Sequence, residues 1–257
     1  MNAVDKNKIA LSGMQYHIPL QPGDIPEVVL LPGDPGRIHL MSEHLSNYEI
    51  IAQNREYVVA RGTHKGLDIA LCSTGIGCPS TAIAVEELFN IGARVFIRTG
   101  STAALIPEAN IGDLFVSIGT ARFDGTSKNY LPLEYPAIPN QLLTHYLIKS
   151  AKKIVPESVS VFTGINASSD AFYAEAPDFI ESLREKGVSN LEMESATLFI
   201  ITNLKKAISA MICTTTGNLI NGEIDSTHTD PRLINGYHLA TDATLNAVHK
   251  YLDQKNR

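Results

Sequence analysis

The chain has 257 residues, of which 44% are hydrophobic and 19% charged, enough for a single large α/β domain spanning 1–257. Its formal net charge of −6 argues against nonspecific nucleic-acid binding, so an anionic ligand would need local arginines to hold it. No stretch approaches the ~18–20 uncharged apolar residues that span a bilayer, and Met1–Lys8 is polar with no apolar signal core. Cys72, Cys78 and Cys213 sit inside apolar segments, as expected of core residues in a reducing, cytoplasmic setting. No Cys or His spacing suggests a transition-metal site.

In chain order, the apolar run Val28–Leu31 predicts a buried strand, and Arg37–Leu45 predicts a helix. The segment between them, Pro32-Gly33-Asp34-Pro35-Gly36, joins two stiffening prolines to two permissive glycines. Such a turn presents unpaired N–H groups to an anion, and Arg37 stands where its guanidinium can fork onto the same group. Strands follow at Tyr57–Arg61 and Ile69–Ser73, with Lys65-Gly66-Leu67 as a hairpin turn between them. Further strands are expected at Val95–Arg98, Leu114–Ile118, Val159–Ile165 and Ala210–Thr215. Helices are expected at Thr81–Asn90, Gln141–Ile154, Pro177–Lys186, Ser195–Leu204 and Leu233–Leu252. This alternation predicts a largely parallel sheet covered on both faces.

Ligands of open α/β sheets gather at the carboxyl ends of strands. Gly33 and Arg37 follow the first strand, Gly75 and Gly77 the third, and Arg98-Thr99-Gly100-Ser101-Thr102 closes the fourth. Ser80 stands where a dinucleotide fingerprint needs its third glycine, no acidic residue follows at the usual distance, and there is no Walker A motif, so NAD is rejected. Arg37, Arg55 and Arg98 suit a phosphate dianion, with Gly100 and Ser101 completing a cradle. Glu192 and Glu194 flank Met193 on an extended segment, which predicts opposite faces and different roles, one of them accepting from a sugar's vicinal hydroxyls.

These residues resemble the nucleoside phosphorylase-I family, most closely its uridine phosphorylase branch, over nearly the whole chain. The likeness runs through Tyr16-His17, Pro32–Arg37, Asn54–Tyr57, Cys72–Gly77, Phe96–Ser101, Ala167–Asp170, Phe172-Tyr173 and Glu192–Leu198. It implies a three-layer α/β/α sandwich with a mixed, partly barrel-like sheet, and reversible phosphorolysis of a nucleoside to free base and pentose 1-phosphate. It implies phosphate contacts from Gly33, Arg37, Arg98 and Ser101, with Arg55 reaching over from a neighbouring subunit. Met193 and Glu194 would hold the ribose, and a neighbour's His17 would bond its 5′-hydroxyl. Phe172, with Thr102 and Glu192, would line the base pocket. Glu56, Ile76 and Ser80 match a K⁺ or Na⁺ site at a dimer interface. Arg98 and Glu194 carry the catalytic weight, no cofactor beyond co-substrate phosphate is expected, and the assembly would be a dimer-based hexamer.

The departures concern the base. Uridine phosphorylases carry a Gln and an Arg shortly after the Phe-Tyr pair to read uracil, whereas this chain has Ala174-Glu175-Ala176-Pro177-Asp178. A further family arginine aligns with Leu219, and the Asp of hexameric purine phosphorylases aligns with Gly217, beside Asn218. Ala103 replaces a usual glycine. Altered base specificity follows, with a purine phosphorylase using Asn218 or Glu175, a water-using nucleosidase, or a non-catalytic nucleoside-binding protein as alternatives.

Overall fold

In the computed structural model, which describes residues 13–255, nine strands join in one mixed sheet. They are β1 (Val28–Leu31), β2 (Ser46–Asn54), β3 (Tyr57–His64), β4 (Leu67–Cys72), β5 (Val95–Ala104), β6 (Leu114–Phe123), β7 (Val161–Ser169), β8 (Val188–Glu192) and β9 (Ile208–Asn218). The helices are α1 (Arg37–Ser42), α2 (Cys78–Asn90), α3 (Gln141–Ile154), α4 (Pro177–Glu185), α5 (Ser195–Leu204) and α6 (Pro231–Lys255). The order is β2-β3-β4-β1-β5-β8-β7-β6-β9, and β5 also pairs with β9, so β5, β8, β7, β6 and β9 close into a five-stranded ring. The expected mixed, partly barrel-like sandwich is the observed architecture. Met1–Lys8 lies outside the described residues.

Both faces of the sheet are covered. On one side, Val85 and Leu88 of α2 and Phe199, Ile200 and Ile201 of α5 pack on Val29, Leu31 and Phe96. On the other, Ile38 and Met41 of α1, Leu143 and Leu147 of α3 and Val248 of α6 pack on Leu30, Ile97 and Ile212. Strands buried on both faces read as unbroken apolar runs, which is why β1 and the first half of β5 were legible. The Lys65–Gly66 hairpin forms with both residues at positive φ (50° and 81°), the conformation a tight strand-to-strand turn demands.

Two strands escape the sequence reading. β2 is an edge strand whose residues are mostly exposed or half-buried, so it carries no apolar run. β8 has five residues, and it forms because parallel β7 and the far end of β5 flank it. These two neighbours bring Glu192, at its carboxyl end, to the centre of the molecule.

Candidate active site

Arg98 lies in the middle of β5, in register with Leu31 of β1 and Met211 of β9, and is 4% exposed. A guanidinium there requires partners of opposite charge. Its Nε donates to Glu192 Oε2 at 2.8 Å, and its Nη2 pairs with Glu194 Oε2. Burial opposes the charge, but Glu194 and Glu192 outweigh it and push the Arg98 pKa up. The guanidinium lies over Gly100, where a Cβ would sit 2.7 Å from Arg98 Cζ. Only glycine leaves that space.

Both carboxylates therefore converge on one cation, which corrects the expectation of opposite faces. The chain leaves the strand at Met193 and turns into α5, swinging Glu194 round to the side Glu192 already faces. Their roles do differ. Glu192 Oε1 accepts from Asn166 Nδ2 (3.1 Å), Ser195 Oγ (2.7 Å) and Ser168 Oγ, and Oε2 accepts from Arg98 and from the backbone N–H of Glu194 and Ser195 (both 2.9 Å). It thus caps the N-terminus of α5 while fixing Arg98. Glu194 Oε1 accepts from the backbone N–H of Gly77, at the start of α2, at 2.6 Å. Burial pushes the Glu194 pKa up, with Arg98 opposing and the neighbouring charge of Glu192 adding to the rise.

The turn after β1 reaches the same point. Thr74 N and Gly75 N donate to Pro32 O and Gly33 O, both at 2.9 Å, locking the two glycine-containing loops together. Gly33 lies beside Arg98 Nη1, which a Cβ on residue 33 would approach to 4.0 Å. Arg37 Nη2 donates to Ser101 Oγ at 3.1 Å, and its Nη1 is buried with no hydrogen-bond partner among the described residues. Gly33, Arg37, Arg98, Gly100 and Ser101 thus stand together, with Glu194 behind them.

His17 and Arg55 belong to a second group. Glu87 accepts from the backbone N–H of His17 at 3.0 Å and from its Nδ1 at 2.8 Å, and Asn54 Nδ2 donates to His17 O at 2.8 Å. Arg55 is the exposed first residue of the turn joining β2 to β3, at φ 54°. Glu56 packs on Gly75, where a Cβ would meet its Cγ at 2.7 Å, and Ser80 Oγ donates to Ile76 O at 3.0 Å. Glu56, Ile76 and Ser80 therefore share one locality of oxygen donors.

The base side departs from expectation. Glu192 has both oxygens committed, and the Thr102 hydroxyl donates to Leu191 O and accepts from Asn190 Nδ2, both at 2.8 Å. These side chains hold β8 and α5 in place. Asn218 donates to Ile106 O and Ala109 O and accepts from Ile220 N, so it pins two loops and its amide is not free for a purine. At Gly217 a Cβ would lie 3.0 Å from Glu223 O, because an isolated bridge to Ile224 closes over it. Phe172 is 64% exposed on a 3₁₀ turn beside Tyr173. Glu175 ends that turn, its pKa pushed up by burial against the opposing hydrogen bond of Ser169.

The sequence model of the phosphorylase superfamily matches residues 27–252. The chain belongs to the phosphorylase superfamily. It is 37% identical to a guanosine phosphorylase of Halorubrum lacusprofundi over 91% of this chain and 98% of that protein. It is 42% identical to a uridine phosphorylase of Thermococcus kodakarensis over 82% of this chain and 80% of the other. A crystal structure of uridine phosphorylase from Vibrio fischeri superposes with a TM-score of 0.86 at 31% identity, covering 95% of this chain and 99% of that one.

In this superfamily member, sequence reasoning missed the groups that hold the site rather than those that point into it. Tyr237, on α6, stacks on Arg37 with the guanidinium carbon 4.6 Å from the ring centroid. Asn166, Ser168 and Ser195 saturate Glu192. The Ser168-Ser169 pair at a strand end was the one available signal, since adjacent hydroxyls in an apolar strand imply buried acceptors.

Proposed function

We propose that the protein is a nucleoside phosphorylase, which attacks the anomeric carbon of a bound nucleoside with inorganic phosphate to give free base and pentose 1-phosphate. The observation that supports this is the meeting of Arg37 and Arg98 at Gly100–Ser101, with the Glu194 carboxylate behind them. Phosphate held there stabilises the positive charge that builds on the sugar as the glycosidic bond opens, and is then itself the nucleophile. Glu194 accepts from the 2′- and 3′-hydroxyls, with Met193 against the ribose. His17 and Arg55 act across a subunit boundary, an arrangement supported by the exposure of Arg55 and by the large exposed side chains of Tyr16 and Ile76 beside these groups. The same proposal includes a dimer-based hexamer, a K⁺ or Na⁺ ion held by Glu56, Ile76 O and Ser80, and a cytoplasmic setting, which the three free, buried cysteines suit. Among the described residues, no helix is long and apolar enough to cross a membrane.

A purine nucleoside is the second reading. The uracil-reading pair is missing, and a guanosine phosphorylase is among the relatives. Glu175, which follows the Phe172–Ala174 turn, offers a carboxylate that fits the adjacent N1–H and N2–H donors of guanine. One experiment tests both readings: turnover of uridine, thymidine, inosine and guanosine, with and without phosphate. Phosphate-saturable release of free base is expected. Equal rates without phosphate, or no turnover of any nucleoside, refute phosphorolysis, and the preferred base decides between the readings.

A further inference from the structure

The start of α6 is docked on the phosphate side of the site by two glycines. A Cβ at Gly236 would collide with Thr214 Cγ2 on β9 and lie 2.7 Å from Gly112 O. A Cβ at Gly112, whose φ is +91°, would lie 2.5 Å from Arg232 O. This approach needs residues without side chains, and it sets Tyr237, 6% exposed, against Arg37. Arg37 is held at three points: its turn, the Tyr237 ring face, and Ser101 Oγ. The Tyr237 phenol faces the same two groups; burial pushes its pKa up, while Arg37 and Ser101 pull the other way.

Resting on the phosphorolysis reading, we infer that Tyr237 is a positioning residue for phosphate, clamping the Arg37 guanidinium so that its buried, unpartnered Nη1 meets a phosphate oxygen. An arginine on a strand-to-helix turn otherwise samples many rotamers, and each must be frozen when the ligand binds. A ring face over the guanidinium plane removes that freedom before binding, at a range where cation–π attraction is strong. The rival role is purely structural, since Tyr237 also packs with Ile111 and Leu233 in a small apolar cluster.

Two variants separate these roles. Tyr237→Phe keeps the ring face, whereas Tyr237→Leu fills the apolar cluster but has no face to offer. For Tyr237→Leu, the Kd for inorganic phosphate by calorimetry and the phosphate KM rise about tenfold, as loss of a desolvated cation–π contact implies. The nucleoside KM stays within about twofold, and Tyr237→Phe restores most of the phosphate affinity. Wild-type phosphate affinity in Tyr237→Leu overturns the inference. So do equal losses for both substrates in both variants, which mark a structural role. A wild-type protein that binds no phosphate removes the phosphorolysis reading and this inference together. Phosphate binding without turnover of any nucleoside removes the reaction alone and leaves the clamp to be judged by the calorimetric Kd.

Discussion

Replacing Gly100 by alanine adds one methyl group, and the structure fixes where it goes. The new Cβ lies 2.7 Å from Arg98 Cζ, 2.9 Å from Nη2 and 3.0 Å from Nη1, whereas an ordinary contact begins at 3.4 Å. The guanidinium must therefore retreat by about 0.7 Å (3.4 − 2.7). It has nowhere to go, because Glu192 holds Nε at 2.8 Å and Glu194 holds Nη2. Overpacking costs roughly 1–3 kcal/mol, and a buried carboxylate that loses its cation costs roughly 3–5 kcal/mol. With partial relaxation, a loss of about 3 kcal/mol is expected, lowering Tm by roughly 6–12 °C in a chain of this size. Misplacing Arg98 by most of an ångström should also reduce kcat/KM for phosphate about 100-fold. The assay pairs thermal unfolding with phosphate titration, using Gly119→Ala as control, since a Cβ there meets nothing closer than 3.8 Å. A Gly100→Ala protein that melts with wild type and saturates normally with phosphate refutes the account of Arg98 as locked.

Two other perturbations test the Glu192 network and the pH response. Glu192→Gln replaces one acceptor oxygen with an NH₂ group that faces donors in either orientation, Asn166, Ser168 and Ser195 on one side and Arg98 on the other. A loss of roughly 3–5 kcal/mol is expected, measured by urea unfolding, and an unchanged midpoint would show that the network carries little energy. Stability should also fall below neutral pH through His64. Its pKa is lowered from 6.5 by burial, then by Lys65, His249 and His44, with Asp242 opposing. Its Nδ1 faces His249 Nε2 at 3.1 Å, and that same nitrogen lies 3.0 Å from His64 O, so a proton on Nδ1 would set donor against donor. The unfolded chain then binds the proton first, and stability is lost as pH falls from about 6.5 toward the lowered folded value. His64→Asn should flatten the urea midpoint between about pH 7.5 and 5.5; an unaltered slope assigns the effect elsewhere.

What the sequence reveals of this fold follows from how each element is stabilised. β1 and the start of β5 are buried on both faces and read as apolar runs. α3 and α5 span Gln141–Ile154 and Ser195–Leu204, as the sequence predicts. β2 and β8 are held as strands by their neighbours, and neither carries the long apolar run that marks a buried strand. The residues proposed to hold phosphate stand out in the sequence for a related reason: an arginine inside an apolar strand, or a glycine forced by a turn, has few uses.

Glu192 and Glu194 show where that legibility ends. From spacing alone, two glutamates around a methionine differ in role, and they do. Which one is spent on structure depends on Asn166 and Ser168 from β7, some twenty residues or more away in sequence and adjacent only once β8 has slotted beside that strand. Asn218 is the same case: its place beside Gly217, which aligns with the Asp of hexameric purine phosphorylases, suggested a base contact, yet its amide holds the carbonyls of Ile106 and Ala109. In both, the bland use of a buried polar group, satisfying another buried polar group, displaced the chemical one, because an unsatisfied partner costs about 1–3 kcal/mol. On the proposed reading, the base half of the site is for that reason built from what structure leaves over. Among the groups considered for the base, Glu175 is a carboxylate for which Ser169 is the one side-chain hydrogen-bond partner among the described residues. Specificity in this chain should accordingly move with residue 175 before it moves with 192, 217 or 218.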